Sequence, residues 1–164
     1  MSKYVDWIPT QPEDIGPFFE LVPLSASDCV YDLGSGDGRL LFSALERGAG
    51  RCVGIDIDAD LIRAARETAL QKGVEDRVRF IEGDILEVDL SPASIVLCFL
   101  YPTAFGALRL KFEDELKPGT RVVMESFPIR EWTPAKIHYK PGRNYYLYVM
   151  PPEKAEEEDI LEPR

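Results

Sequence analysis

The chain has 164 residues and a formal net charge of −10, from 19 Lys and Arg against 29 Asp and Glu. That length suits one domain burying about 70% of its unfolded surface; no apolar run approaches the roughly 20 residues of a membrane helix, and Met1-Ser2-Lys3-Tyr4-Val5-Asp6 lacks a secretory profile. The acid excess argues against a broad phosphate-binding surface and against nucleic acid as partner, and it favours cationic ligands or basic proteins.

In chain order, Thr10-Gln11-Pro12-Glu13 has the spacing of a capping box, and Pro17 is expected to disrupt the helix soon after its start. Cys29–Leu33 reads as a buried strand followed by Gly34-Ser35-Gly36-Asp37-Gly38. A helix opens near Arg39 and stops at Gly48 and Gly50. Arg51–Asp56 is the next strand. Asp58 caps a helix over 59–72, with Gly73 as its stop. Val78–Ile81 is a third strand and Ser94–Leu100 a fourth. Phe105, Leu108, Phe112 and Leu116 make a helical stripe ended by Pro118-Gly119, and Arg121–Met124 is a fifth strand. Ile137–Tyr139 and Tyr145–Val149 form a terminal hairpin. After Pro151-Pro152, residues 153–164 hold six acids and two bases and are expected to be solvated and disordered. The domain therefore spans 1–152, with 1–24 as an N-terminal lid or helix. Alternating strands and helices, with near-continuous apolar strands, imply an α/β fold whose parallel sheet is covered on both faces.

Ligands of such sheets sit beyond the carboxyl ends of the strands, at the switch point. Gly34, Gly36 and Gly38 let the chain turn tightly and let a ligand approach the backbone. Asp32 and Asp37 would repel a pyrophosphate but suit an amino group and a positive centre. Asp56 ends the second strand, 24 residues after Asp32, near the offset at which an acid accepts from ribose hydroxyls. Asp84 follows the third strand and suits an exocyclic amine, while Ile57 and Ile85 can sandwich a flat base. A ligand with an amino-acid end, a ribose, an adenine and a cationic sulfur meets these demands: S-adenosylmethionine. Cys29, Cys52 and Cys98 show neither zinc spacing nor a disulfide framework and read as buried thiols of a reduced, cytoplasmic protein; His138 stands alone, so no metal is expected.

Val30–Arg39 resembles motif I of class I methyltransferases, Val53–Asp56 their second-strand motif, Phe80–Asp84 their adenine-contacting one, and Leu116–Val123 their entry into strand five. The resemblance implies a Rossmann-like three-layer sandwich with a mostly parallel seven-stranded sheet whose last strand is antiparallel. More narrowly, Trp7–Thr10, Asp32–Arg39, Glu82–Asp84, Phe127–Pro134 and Tyr146–Val149 resemble small single-domain protein-lysine methyltransferases, which include archaeal enzymes and mitochondrial relatives acting on carriers and the ATP synthase c-subunit. Asp56 stands where that family often has Glu. In it the N-terminal Pro-Thr segment closes over the cofactor, so Thr10 is expected at the cofactor's carboxylate end, with Tyr4 and Trp7 in the lid.

Methyl transfer from a sulfonium is an in-line displacement that asks mainly for positioning. A lysine must arrive neutral, which an apolar aromatic channel favours. Phe99, Tyr101, Phe127 and Trp132 follow the fourth and fifth strands; Tyr101, Phe127 and Trp132 are the expected catalytic lining, with Phe99 beside the cofactor, although Phe99 and Phe127 read equally as core. Phe99-Leu100-Tyr101-Pro102 is not the Asn/Asp-Pro-Pro-aromatic motif of amino-methylating nucleic-acid and glutamine enzymes, and no Pro-Cys nucleophile follows a strand. The expected function is methyl transfer to lysine of basic, Lys-bearing proteins; a small-molecule methyltransferase and a catalytically silent S-adenosylmethionine-binding module are the alternatives.

Overall fold

The computed structural model describes residues 8–157 and 160; Tyr4, Trp7 and most of the far end of the tail lie outside them. The elements are α1 (Pro12–Leu21), β1 (Cys29–Leu33), α2 (Arg39–Glu46), β2 (Arg51–Asp56), α3 (Ala59–Lys72), β3 (Val78–Glu82), β4 (Ile95–Cys98), a 3₁₀ turn (Pro102–Ala104), α4 (Phe105–Glu115), β5 (Arg121–Glu125), β6 (Trp132–Thr133), β7 (Lys136–Lys140), β8 (Arg143–Val149) and β9 (Glu153–Lys154). Seven strands form one sheet in the order β3-β2-β1-β4-β5-β8-β7, and β6 pairs with β9 apart from it. The first five are parallel, and β8, the last of the seven in chain order, runs antiparallel between β5 and β7.

Strand periodicity sorts the side chains into two cores. Val30, Ile95, Leu97, Val123, Tyr145 and Leu147 face α1, α2 and α3. Tyr31, Leu33, Val96, Cys98, Val122 and Met124 face the other way, with Phe105, Phe112 and Trp132 packed on them. Asp32, Asp56 and Glu125 share the phase of the first set, so their carboxylates fall on the α1–α3 face at the carboxyl ends of the strands.

Local chemistry fixes α3: the Asp58 carboxylate accepts from the N–H of Asp60 at 3.0 Å and of Leu61 at 3.1 Å, and Gly73 closes it at φ 65°. The start of α1 differs from expectation. Gln11 is its N-cap and makes no side-chain cap bond; Pro12 opens the helix, where its missing N–H is no loss, and Thr10 stays outside. Pro17 does not end the helix, which runs on to Leu21. A proline there leaves the carbonyl four residues back without its N–H, and the Lys140 ammonium supplies the missing donor to the Glu13 carbonyl at 3.1 Å. The β6–β9 ladder, which brings Glu153–Lys154 against Trp132–Thr133, has too few residues to leave a periodic signal.

Candidate active site

The glycine turn after β1 is built around positive φ: 84° at Gly34, 55° at Gly36 and 84° at Gly38. At Gly38 a Cβ would also lie 2.6 Å from the Phe80 ring, so no other residue fits without displacing the core. The N–H groups of Gly34 and Ser35 both donate to the Ile55 carbonyl, at 2.8 and 3.0 Å, which pins the turn to β2. Asp56 then braces it from the next strand: Oδ2 accepts from Gly36 N–H and Oδ1 from Asp58 N–H, each at 2.9 Å. Asp84 accepts from Leu86 N–H at 2.9 Å, the short-range turn that follows β3.

These turns border a cavity of about 480 Å³, in the size range of small-molecule sites. Of the residues expected from the sequence, Thr10, Asp32, Gly34, Ser35, Asp37, Asp56, Ile57, Asp84, Ile85, Phe99 and Tyr101 all line it. Gly36 and Gly38 shape the turn without lining the cavity. Ser35 is buried, and its Oγ has no hydrogen-bond partner among the described residues. Phe127 lies behind the lining, its ring centroid 6.0 Å from that of Tyr101. Trp132 corrects the expectation of an acceptor-lining residue. It is 1% exposed, packs on Phe112 and Tyr148 with centroids at 6.3 and 5.5 Å, and donates from Nε1 to Glu113 at 3.0 Å. It belongs to the core beneath α4.

The electrostatics single out Asp32. Burial, reinforced by the carboxylates of Asp56 and Glu125, pushes its carboxyl up to about 8. A buried acid among acids invites a cation. For Asp37, burial is outweighed by the Arg39 side chain and backbone N–H, which hold its carboxyl below the usual range. The thiols of Cys52 and Cys98 are buried and pushed up, as an inert cysteine should be.

Two features escape sequence reasoning. Arg39 lines the cavity and forks onto Asp37, Nε to Oδ1 at 3.0 Å and Nη2 to Oδ2 at 2.7 Å; its signal was its place directly after the glycine turn. Glu125, fully buried at the end of β5, ion-pairs with Arg143, and its Oε2 has no partner among the described residues. Burial pushes this carboxyl up to about 7 although Arg143 draws it back. Arg143 also meets Asp14 Oδ2 at 3.2 Å and lies 5.4 Å from the centre of the Phe99 ring, and Lys140 completes the cluster on Asp14. An acid ending a strand was a readable signal for Glu125; Arg143 had none. Just beyond Glu125, Ser126 has φ 70°, with Phe127 N–H donating to the Glu125 carbonyl at 2.9 Å. Such tight three-residue turns are strained, and backbone strain gathers at functional sites.

Carboxylates at three strand ends, a glycine turn and apolar walls suit an aminoacyl nucleoside bearing a positive centre. Comparison with known proteins agrees. The sequence profile of the ANTKMT methyltransferase domain matches residues 32–136. The chain is 37% identical over 152 residues to the protein-lysine N-methyltransferase of Saccharolobus islandicus, covering 90% of this chain and 94% of that one. It is 34% identical over 108 residues to the adenine nucleotide translocase lysine N-methyltransferase of Mus musculus, covering 66% of this chain but only about half of that relative, 47%. The crystal structure of an RNA methyltransferase from Salinibacter ruber, in complex with S-adenosyl-L-homocysteine, superposes with a TM-score of 0.85 at 37% identity over 92% of this chain and 97% of that one. A SAM-dependent methyltransferase from Thiobacillus denitrificans, also with S-adenosyl-L-homocysteine, matches with a TM-score of 0.63 at 26% identity over 73% of this chain and 50% of that one. The chain belongs to the ANTKMT methyltransferase domain family and is an S-adenosylmethionine-dependent methyltransferase.

Proposed function

We propose that the protein transfers the methyl group to the ε-amine of lysine in basic proteins. The observation that carries this reading is the aromatic pair Tyr101–Phe127 that follows β4 and β5, with Tyr101 in the wall of the acid-lined cavity and Phe127 behind it. A lysine acceptor reacts only as the neutral amine, and an apolar aromatic wall disfavours the ammonium; the same ring faces attract methylated ammonium products. The Saccharolobus relative, matched over nearly its whole length, carries a lysine-methyltransferase name.

The cofactor supplies an electrophilic methyl on a sulfonium. In this reading Asp56 accepts from the ribose hydroxyls, Asp84 from the adenine amine, and Asp32, Gly34, Ser35 and Asp37 receive the aminoacyl end, with Ile57 and Ile85 against the base and Phe99 beside the sulfur. Thr10 covers the aminoacyl end. Tyr101, backed by Phe127, holds the amine in line with the breaking bond, which is the main demand of such a displacement. A net charge of −10 favours Lys-rich substrates over RNA, the substrate class for which the Salinibacter protein is named. The three free thiols suit a reduced compartment such as the cytoplasm.

The test is label transfer. The protein is incubated with methyl-labelled S-adenosylmethionine and, in separate arms, a basic protein mixture, total RNA and a small-molecule extract. Mass spectrometry is expected to place the label on lysine ε-amines; label only on RNA or on small molecules overturns the substrate reading, and cofactor binding without turnover in any arm overturns the enzymatic one. Phe127→Ala should leave the Kd for S-adenosylhomocysteine within about threefold while cutting lysine turnover roughly tenfold to a hundredfold, the range for lost positioning.

A further inference from the structure

Five carboxylates border the cavity, those of Asp32, Asp37, Asp56, Asp58 and Asp84, and Arg39 is the one basic side chain among its described lining residues. S-adenosylmethionine brings its own carboxylate to this acidic surround. An α-carboxylate there meets repulsion from every charged lining group but one, and we infer that Arg39 is the residue that recognises it.

The geometry carries the assignment. If Asp84 and Asp56 take the base and the ribose, as proposed above, the aminoacyl end falls at the turn between β1 and α2, where Arg39 begins the helix. Its backbone dipoles favour an anion at the same end. The side-on fork to Asp37 fixes the plane of the guanidinium through Nε and Nη2, while Nη1 donates to the Thr10 carbonyl at 3.3 Å. Arg39 is thereby held where the glycine turn meets the segment leading into α1, and both Thr10 and Ser35 border the cavity there. Asp37 aims the guanidinium; Arg39 contributes a positive charge spread over a plane that Asp37 holds in place, which the mobile point charge of an ammonium would not reproduce. The cofactor's ammonium is left to Asp32, so the two charges of the amino-acid end go to two different residues.

Isothermal titration of the whole protein with S-adenosylmethionine and with decarboxylated S-adenosylmethionine tests this. The second ligand keeps the nucleoside, sulfonium and ammonium and lacks only the carboxylate. Wild type should bind S-adenosylmethionine at least tenfold more tightly than the decarboxylated form. Arg39→Gln should weaken S-adenosylmethionine by about tenfold to a hundredfold, the range for a charge-assisted hydrogen-bonded contact, with little loss for the decarboxylated ligand, so the preference collapses toward one. Arg39→Lys, which keeps the charge without the fork, should fall between. An unchanged preference in Arg39→Gln, or equal weakening of both ligands, overturns the inference, the latter because Arg39 would then merely prop the glycine turn. Should Arg39→Gln fail to fold, Arg39→Lys decides on the same ratio. Wild type binding neither ligand would instead overturn the nucleoside placement on which this rests.

Discussion

The two halves of the sheet reach their sites by different means. From β1 to β3 each strand ends in an acid or a glycine turn, and the bonds that hold these groups stay within one loop or pass to the next strand: Gly36 to Asp56, Asp58 to Asp56, Leu86 to Asp84. From β4 to β8 the groups converge from opposite ends of the chain. Glu125 meets Arg143 across the β5–β8 pair, both Arg143 and Lys140 meet Asp14, and the Tyr145 hydroxyl donates to the Asp14 carbonyl at 3.1 Å. The half proposed to hold the nucleoside is written locally, so its chemistry can be read off motifs. The Glu125–Arg143–Asp14 cluster exists only once the antiparallel β8 has been threaded between β5 and β7.

The division is most exposed at Asp56, which serves both the turn and the proposed ribose contact. Asp56→Ala should weaken S-adenosylhomocysteine binding by a hundredfold or more by calorimetry, since hydrogen bonds to a charged group are worth about 1.5–3 kcal/mol each; a loss under tenfold would detach the ribose from this strand end. A smaller effect concerns the buried acids. Because Asp32 is raised to about 8 in the folded protein, from an ordinary value of 3.8, the native state holds a proton that the unfolded chain has released across that window, and stability must fall as pH rises through it. The ligand-free Tm should therefore drop by several degrees between about pH 5 and 8 and level off above that, and Asp32→Asn should flatten the slope in scanning calorimetry. The smallest effect on function belongs to Trp132. Trp132→Phe should lower the Tm by a few degrees, from a lost hydrogen bond and some lost volume, with turnover and cofactor Kd unchanged; a selective loss of turnover would return Trp132 to the acceptor site.

The same contrast explains what the sequence disclosed. Helix α3 is legible from Asp58 to Gly73 because cap, dipole residues and stop all lie within its own span. The cavity is legible because Asp32, Asp56 and Asp84 each follow or end a strand that announces itself. Thr10 has a capping-box spacing, but Pro12 already opens the helix without needing a cap, and Thr10 lines the cavity instead. Glu-Trp-Thr-Pro gives no sign of which way its indole turns; Phe112, Tyr148 and Glu113 settle that, and none is a sequence neighbour. Nor does Pro17 reveal that Lys140, from the far end of the chain, will satisfy the carbonyl it strands.

That lysine carries a consequence for biosynthesis. Helix α1 rests on β5, β7 and β8 and touches α2, and its first turn is gripped by Lys140 and Arg143. A ribosome delivers this helix early and its berth late, so the nascent chain can assemble its parallel strands while the opening helix waits undocked. Contacts of such long sequence separation form slowly, and the part of the cavity wall that α1 supplies through Phe18 is set in place only after the last hairpin has emerged.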